Sequence, residues 1–402
     1  LWDVAYYQGR YYVYFGVIPC LLFQLPFEAL TGVRDLPPSL PMILLSWLFL
    51  LAAFGCIKQA ARRWFPDMSA AVYLLLCASI GTGSQIYYLL LRPSIYEYAI
   101  LSGAAFVMLA LWQWLLAANQ PAEKHGRILF HLALGSLCMA FVAGCRPQMV
   151  LFAALCLPIF WQRYIAQKRL RSRAGAGEAA AFLLPVVLVA AGLMWYNYAR
   201  FGSPFDFGAN YNLTGNDMTK RGFELARFPL GIFSYLFQPL LLTGKFPFMT
   251  TVPVTSNYQG YTSSEPMFGG FYAYCTIALV SFAFCSRRFK APGSVRGFAL
   301  LLMGIGFMLM LFDIQASGIT ARYMADFSFF LLLPAVLALF MFEQRAGTGS
   351  AAWAFHLAVV VASLLCLGLN AWSIFIDGRY GPLNEAFPSI YYGVKQALSF
   401  LW

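Results

Sequence analysis

The chain has 402 residues, of which 61% are hydrophobic and only 11% are charged. Soluble domains carry about 25% charged residues, so this composition excludes an ordinary soluble enzyme and gives an integral membrane protein. The formal net charge of +11 must then be divided between two membrane faces, and its sorting reports orientation.

Residues 1–40 come first. The stretch 11–28 is as greasy as a helix, but it carries Pro19 and Pro26 and ends in Glu28, with Asp3, Gly9 and Arg10 ahead of it. Its aromatic residues Tyr11, Tyr12, Tyr14, Phe15 and Phe23 suit the headgroup level. We read 1–40 as an outer-face interfacial segment, the remainder of a first outer loop. The alternative is a crossing at 12–31 that would leave Asp3 and Arg10 inside.

Apolar runs then follow at 41–57, 69–91, 98–118, 128–145, 148–162, 179–199, 268–285, 297–312, 323–342 and 351–376. A span needs about 20 residues, and the run at 148–162 is the shortest. The expected fold class is all-α: a polytopic transmembrane helix bundle of about ten spans with outer-face interfacial helices and one long outer loop. Its segments are 1–40, an N-terminal bundle at 41–199, the large outer loop at 200–267, a C-terminal bundle at 268–376 and an outer-face tail at 377–402. No long Pro/Gly/Ser linker or short-period repeat divides it further.

The basic residues sort by loop. Lys58, Arg62 and Arg63; Lys124 and Arg127; Arg163, Lys168, Arg169, Arg171 and Arg173; Arg287, Arg288, Lys290 and Arg296; and Arg345 occupy every second connection. Together with Asp67, Glu123, Glu178 and Glu343, these loops hold the whole excess of +11, and the remaining charges balance. The basic loops are assigned to the cytoplasm of a cell (plasma) membrane and the loop 200–267 to the extracytoplasmic side. The run Arg163 to Arg173 is read as a topology signal that touches anionic lipid, and no nucleic-acid partner is expected.

The nine cysteines are scattered and form no CxxC pair, which gives neither a disulfide framework nor a cysteine zinc site. His125, His131 and His356 are far apart in sequence, so no metal site is assigned, and only tertiary coincidence would bring them together. The loop 200–267 holds Asn210, Asn212, Asn216, Asp217, Lys220, Arg221, Glu224, Lys245 and Glu265, with a semi-apolar stretch at 228–248 suited to lying on the membrane. Loops of this length are usually functional or disordered, and the aromatic content argues against disorder. Asn212-Leu213-Thr214 matches a glycosylation sequon, a common pattern. Apart from Asp326, the span interiors hold no Asp, Glu, Lys or Arg. Arg92, Glu97, Arg146, Arg200, Asp313, Arg322 and Asp326 sit instead at the outer ends of runs. Ion-coupled transporters usually keep ionisable groups at membrane depth, so this placement suits chemistry at the outer surface better than passage through the bilayer.

This order of residues resembles the membrane-embedded glycosyltransferases of the C superfamily, the group of protein mannosyltransferases and lipid A aminoarabinose transferases. Gly9-Arg10-Tyr11-Tyr12, with Pro19 and Gly32, looks like that group's surface stretch before the second span. Arg92-Pro93-Ser94-Ile95-Tyr96-Glu97 sits where members place an acidic residue at a helix start. Gly144-Cys145-Arg146-Pro147 is similar to their glycine-to-Arg-Pro helix end, and Arg322-Tyr323 to a late Arg-Tyr helix start. Asn197-Tyr198-Ala199-Arg200-Phe201-Gly202-Ser203-Pro204 looks like a run in uncharacterised bacterial members. The family's first span and the acidic residue after it have no counterpart ahead of Leu1, and the resemblance implies both upstream.

The resemblance implies a polyprenyl-phosphate sugar donor held by its tail in the membrane lipid. It implies transfer to a glycan, lipid or protein acceptor on the outer face. A carboxylate must accept or orient the acceptor's proton, for which Asp3 and Glu97 are the candidates. Cations must stabilise the departing phosphate, for which Arg10, Arg92, Arg146, Arg200 and Arg322 are the candidates. The resemblance fixes no cofactor and leaves a divalent cation open. Plainer roles stand beside these. Asp3 and Arg10 could be solvated loop residues, Glu97 a helix cap, Arg322 a partner of Asp326 one turn on, and Arg146 a headgroup anchor. The competing function is a lipid-linked-sugar flippase or other polytopic transporter without transferase activity; a fragment that folds without catalysis is a third.

Overall fold

The computed structural model describes residues 3–13, 16–215, 217, 219–379 and 383–401. Tyr14, Phe15 and Asn216, counted above among the interfacial aromatics and loop polar groups, lie outside the described residues.

In chain order, strands β1 (Ala5–Tyr7) and β2 (Arg10–Tyr12) form a hairpin. Its two-residue turn has Gln8 and Gly9 both at positive φ, the conformation that lets a tight turn match strand twist. Next come α1 (Val17–Pro19) and α2 (Leu25–Thr31), joined into one short apolar helix. The helices α3 (Ser39–Trp64), α4 (Ala70–Gly83), α5 (Ile86–Leu90), α6 (Ile95–Asn119), α7 (His125–Ala143), α8 (Cys156–Phe160) and α9 (Arg173–Phe201) follow. After α10 (Arg227–Ile232) come the strand pairs β3 (Leu241–Leu242) with β4 (Met249–Thr250) and β5 (Val252–Tyr258) with β6 (Tyr261–Met267). The chain closes with α11 (Phe271–Tyr274), α12 (Gly293–Ala316), α13 (Met324–Ala346), α14 (Ser350–Trp372), α15 (Leu383–Ala386) and α16 (Pro388–Ala397).

The fold is an all-α polytopic membrane bundle. Among the described residues, eight helical stretches are long and apolar enough to cross a membrane. One of them, Pro147–Ala166, contains the short run at 148–162 and is built of 3-10, α and π turns around α8. The two remaining runs, 69–91 and 268–285, are helical but broken. Gln85 at φ +61 separates α4 from α5, and Cys275 separates α11 from the 3-10 stretch Thr276–Cys285.

The chain divides into two compact units. The first comprises 1–64, 93–221 and 293–301; the second comprises 65–92, 222–292 and 302–402. In the first, α6 is the central helix, packed on α3 and α7. It is apolar on all sides and almost wholly buried, as expected of a helix enclosed by others. Helix α9 packs on α7 yet leaves most of its apolar side chains exposed, a lipid-facing position. In the second unit α13 takes the central place. Phe327, Phe329, Phe330 and Phe340 are buried along it, while α14 turns Leu357, Val361, Leu364 and Leu365 outward. Within a bilayer such packing is held by van der Waals contact and polar bonds, since lipid tails are as apolar as the side chains.

Candidate functional site

The first unit gathers polar groups at the start of α6. Ser94 is the N-cap of this helix, with extended backbone, and its hydroxyl accepts from Tyr96 N at 3.3 Å. Ser94-Ile95-Tyr96-Glu97 has the Ser-x-x-Glu spacing of a capping box, and the Ser94 hydroxyl donates to Glu97 Oε2. Glu97 is 1% exposed. A buried carboxylate must be hydrogen-bonded to stay there, and the cap supplies one of its donors.

The adjacent residue reaches the N-terminal segment. Tyr96 Oη donates to Asp3 Oδ2, and Asp3 is 4% exposed. The solvated-loop reading of Asp3 is therefore corrected: the carboxylate is enclosed and tied to α6. Its backbone is at φ +57, a region in which Asp is several-fold enriched over most non-glycine residues. Asp3 and Glu97 are thus organised by neighbouring residues of one helix turn.

The segment after the hairpin is seated beside them. Ile18 N donates to Gly144 O at 3.1 Å, and Tyr98 Oη donates to Pro19 O at 3.3 Å. At Gly16 a Cβ would lie 2.1 Å from Gly144 O, so only glycine allows this approach of two backbones. Arg146 follows at the end of α7. Its stem crosses α6 at Gly103, where a Cβ would stand 2.7 Å from Arg146 Cβ, about 9 Å along the helix from Glu97. With the Gln148 amide oxygen turned toward it, Arg146 donates through Nε at 2.8 Å and Nη2 at 3.1 Å.

Arg200, in the last turn of α9, lies 3.8 Å from the Tyr196 ring centroid and 4.7 Å from that of Phe201. It donates to Asn197 Oδ1 at 3.0 Å and to Val13 O at 3.4 Å. Phe201 in turn packs against Tyr7, Tyr12 and Tyr211, while Leu213 N donates to Val4 O at 2.8 Å. The hairpin is therefore anchored on both flanks. Arg10 takes no part in this packing; it is exposed at the hairpin turn.

The second unit holds the other two arginines. Arg92 is exposed, and Arg322 is half-buried beside the Tyr323 ring, with Nη2 3.5 Å from Tyr323 Oη. Around Arg322 the clearest feature is Glu265, which sequence reasoning left unplaced. Glu265 lies on the buried face of β6 with Ser263 and Met267, the period-2 alternation of a strand. It is 1% exposed, accepts from Ala321 N at 3.1 Å and pairs with Arg379 Nη1 at 2.7 Å. Tyr235 fastens the same turn: its hydroxyl donates to Gly318 O at 3.2 Å and accepts from Thr320 N at 2.9 Å. Burial holds the Tyr235 hydroxyl well above the ordinary phenol range, and the Asp313 carboxylate adds to the effect, so it stays neutral. Arg227 braces β5 by donating to Asn257 O at 2.9 Å and to Gly222 O at 2.6 Å, beneath the Tyr258 ring. Asp313 and Asp326 are fully buried.

Asp3, Glu97, Arg146 and Arg200 thus belong to the first unit with Arg10, whereas Arg92 and Arg322 belong to the second. The histidines have separate partners: His125 faces Glu178, His131 faces Gln113 and His356 faces Glu343. Sequence reasoning gave no role to Tyr96, Ser94 and Arg379 and left Glu265 unplaced. Only the Ser94/Glu97 pair had a local signal, its capping-box spacing.

No family model matches the chain, and no curated protein matches its sequence. Among solved structures it is similar to the crystal structure of ArnT from Cupriavidus metallidurans bound to undecaprenyl phosphate. The TM-score is 0.45 at 14% identity, covering 92% of this chain and 66% of that one. The chain thus spans just under two thirds of that protein's length.

Proposed function

We propose that the chain is a membrane glycosyltransferase that moves a sugar from a polyprenyl-phosphate carrier to an acceptor on the extracytoplasmic face. The observation that carries this reading is the pair of enclosed carboxylates, Asp3 and Glu97, held by Tyr96 and Ser94 at the start of the α6 span. A membrane span whose end merely meets water has no need to bury two acids there. A transferase acting on a lipid-tethered sugar needs an oriented carboxylate at that depth.

In the proposed reaction a carboxylate accepts the proton of the acceptor hydroxyl as its oxygen attacks the sugar's anomeric carbon. The bond from that carbon to the phosphate oxygen breaks, and its electron pair leaves with the polyprenyl phosphate. Asp3 and Glu97 are the candidates for the carboxylate. Arg146 and Arg200 in the same unit, with Arg10, Arg92 and Arg322 as further candidates, would receive the developing phosphate charge through guanidinium donors. The orientation this requires places the basic loops in the cytoplasm. It makes 1–40, 200–267 and 377–402 the extracytoplasmic segments that flank the bundles 41–199 and 268–376.

The test is transfer in proteoliposomes from polyprenyl-phosphate sugars, read as release of polyprenyl phosphate and labelling of acceptor. Asp3→Asn and Glu97→Gln should each reduce transfer by about two orders of magnitude or more while the protein still inserts. Normal transfer by both variants would remove the site assignment. Movement of lipid-linked sugar across the bilayer without product would favour the transporter.

A further inference from the structure

A second polar site stands at the opposite end of α6. Ala118 is about 32 Å along the helix from Glu97 at the standard rise per residue. There the ends of α3, α6 and the Pro147–Ala166 stretch border an open pocket of about 270 Å³. Arg63, Arg163, Arg169, Gln162, Gln167 and Ala122 line it, and no carboxylate is among its lining residues. All belong to the first unit.

The three guanidiniums are not equivalent. Arg169 is neutralised by the buried Glu178, donating to it through Nε at 2.8 Å and Nη2 at 2.6 Å. Arg63 and Arg163 bond to neutral oxygens instead. Arg63 donates to Asn119 Oδ1 at 3.5 Å and Ile159 O at 3.2 Å, and Arg163 Nη1 donates to Ala117 O at 3.3 Å and Gln120 O at 2.9 Å. The plain reading of these bonds is that both arginines close helix C-termini, which favour cations. That reading accounts for Nη1 of Arg163 but not for Nη2, which is buried and has no hydrogen-bond partner. A buried charged donor left without an acceptor is unfavourable, and a turn of the Arg163 guanidinium toward the pocket would let an anion there satisfy it. Two guanidinium forks that bond only neutral oxygens, with two side-chain amides, are a donor set suited to tetrahedral phosphate oxygens.

We propose that this pocket binds a phosphate group, independently of the chemistry proposed at the other end of α6. The group belongs either to an anionic phospholipid of the adjoining leaflet or to a soluble phosphorylated molecule. The pocket lies where spans end, so both sources reach it.

Native mass spectrometry of the purified full chain in detergent tests the first source, with phosphatidic acid against phosphatidylcholine of the same acyl chains. Calorimetric titration with inorganic pyrophosphate tests the second. Two variants probe the pocket: R63Q/R163Q, which removes the charges, and A122F, which fills the space at an exposed position and leaves every arginine in place. R288Q, an exposed basic residue outside the pocket, controls for diffuse attraction. The expected result is a preference of at least about fivefold for phosphatidic acid, or saturable pyrophosphate binding, that R63Q/R163Q and A122F abolish and R288Q keeps. Loss in the phosphatidic acid arm alone identifies the lipid source, and in the pyrophosphate arm alone the soluble one. Undiminished binding by A122F, equal weakening by R288Q, or no preference in either arm overturns the proposal. Loss by A122F counts only with a wild-type thermal midpoint and elution volume, so R63Q/R163Q need not fold for the proposal to be judged.

Discussion

Replacing Tyr96 by Phe removes one hydroxyl from the carboxylate site and leaves the ring. Tyr96 Oη is a donor to Asp3 Oδ2, and Asp3 is 4% exposed, so bulk water does not simply replace the lost partner. A hydrogen bond to a charged group contributes about 1.5–3 kcal/mol. If Tyr96 holds Asp3 in the orientation that the transition state uses, all of that difference falls on the barrier. At about 1.4 kcal/mol per decade, the transfer rate should fall roughly 10- to 150-fold. Because Tyr96 acts through Asp3, the loss should appear in kcat with KM for the lipid-linked donor little changed. The assay is transfer in proteoliposomes by Tyr96→Phe, Asp3→Asn and the double variant, with thermal unfolding measured in parallel. A positioning role makes the two changes non-additive: in the Asp3→Asn background the Tyr96 substitution should cost almost nothing more. Full kcat in Tyr96→Phe, or an undiminished second loss in the double variant, would refute the reasoning.

Gly16→Ala would place a methyl 2.1 Å from Gly144 O and 2.6 Å from Cys145 Cα. Overpacking against backbone on this scale should destabilise by about 1–3 kcal/mol, seen as a lowered thermal midpoint; an unchanged midpoint would mean that the segment at 16–18 does not dock as described. Glu265→Ala removes the acceptor shared by Ala321 N and Arg379. The cost should be ~2–3 kcal/mol, below that of a fully buried pair because Arg379 is 36% exposed, and chemical denaturation reads it directly. Arg200→Lys keeps the charge but loses the planar face over Tyr196 at 3.8 Å and the fork to Asn197. It should destabilise by about 1 kcal/mol; wild-type unfolding would show that the stacking contributes nothing.

Much of the membrane architecture was legible because a span announces itself locally. All ten apolar runs are helical, and among the described residues eight stretches reach spanning length. What composition could not show was where a greasy run breaks. Nothing in Gly83-Ser84-Gln85 forbids a continuous helix, yet Gln85 adopts φ +61 and restarts the chain as α5. The two longer hairpins carried signals that apolar length concealed. Gln8-Gly9 lies between Tyr7 and Arg10, and Gln259-Gly260 joins strands whose buried residues alternate. The Asp3 environment was illegible for a different reason: its partner Tyr96 is 93 positions away. Glu265 likewise finds Ala321 and Arg379 at separations of 56 and 114. Only Ser94 with Glu97 lay within one turn.

These long-range pairs share a physical task. Spans form their own backbone bonds within the bilayer, but lipid offers no hydrophobic drive to draw a surface segment onto a particular helix end. Asp3 on Tyr96 fixes the N-terminal segment to the start of α6, and Glu265 on Ala321 fixes the β5–β6 hairpin to the residues leading into α13. Each uses an enclosed carboxylate, which has a large desolvation cost unless its acceptor oxygens are satisfied. That cost makes the contact selective, since a misplaced segment would leave the charge buried and unpaired. The two carboxylates differ in what else holds them. Glu265 is met by a guanidinium at 2.7 Å as well as a main-chain donor, the arrangement of a structural clasp. Asp3 accepts from the Tyr96 phenol, and Glu97 from the Ser94 hydroxyl. Glu265 is already engaged by that clasp, which is why the proposed proton-accepting role falls to the Asp3 and Glu97 end of the molecule rather than to Glu265.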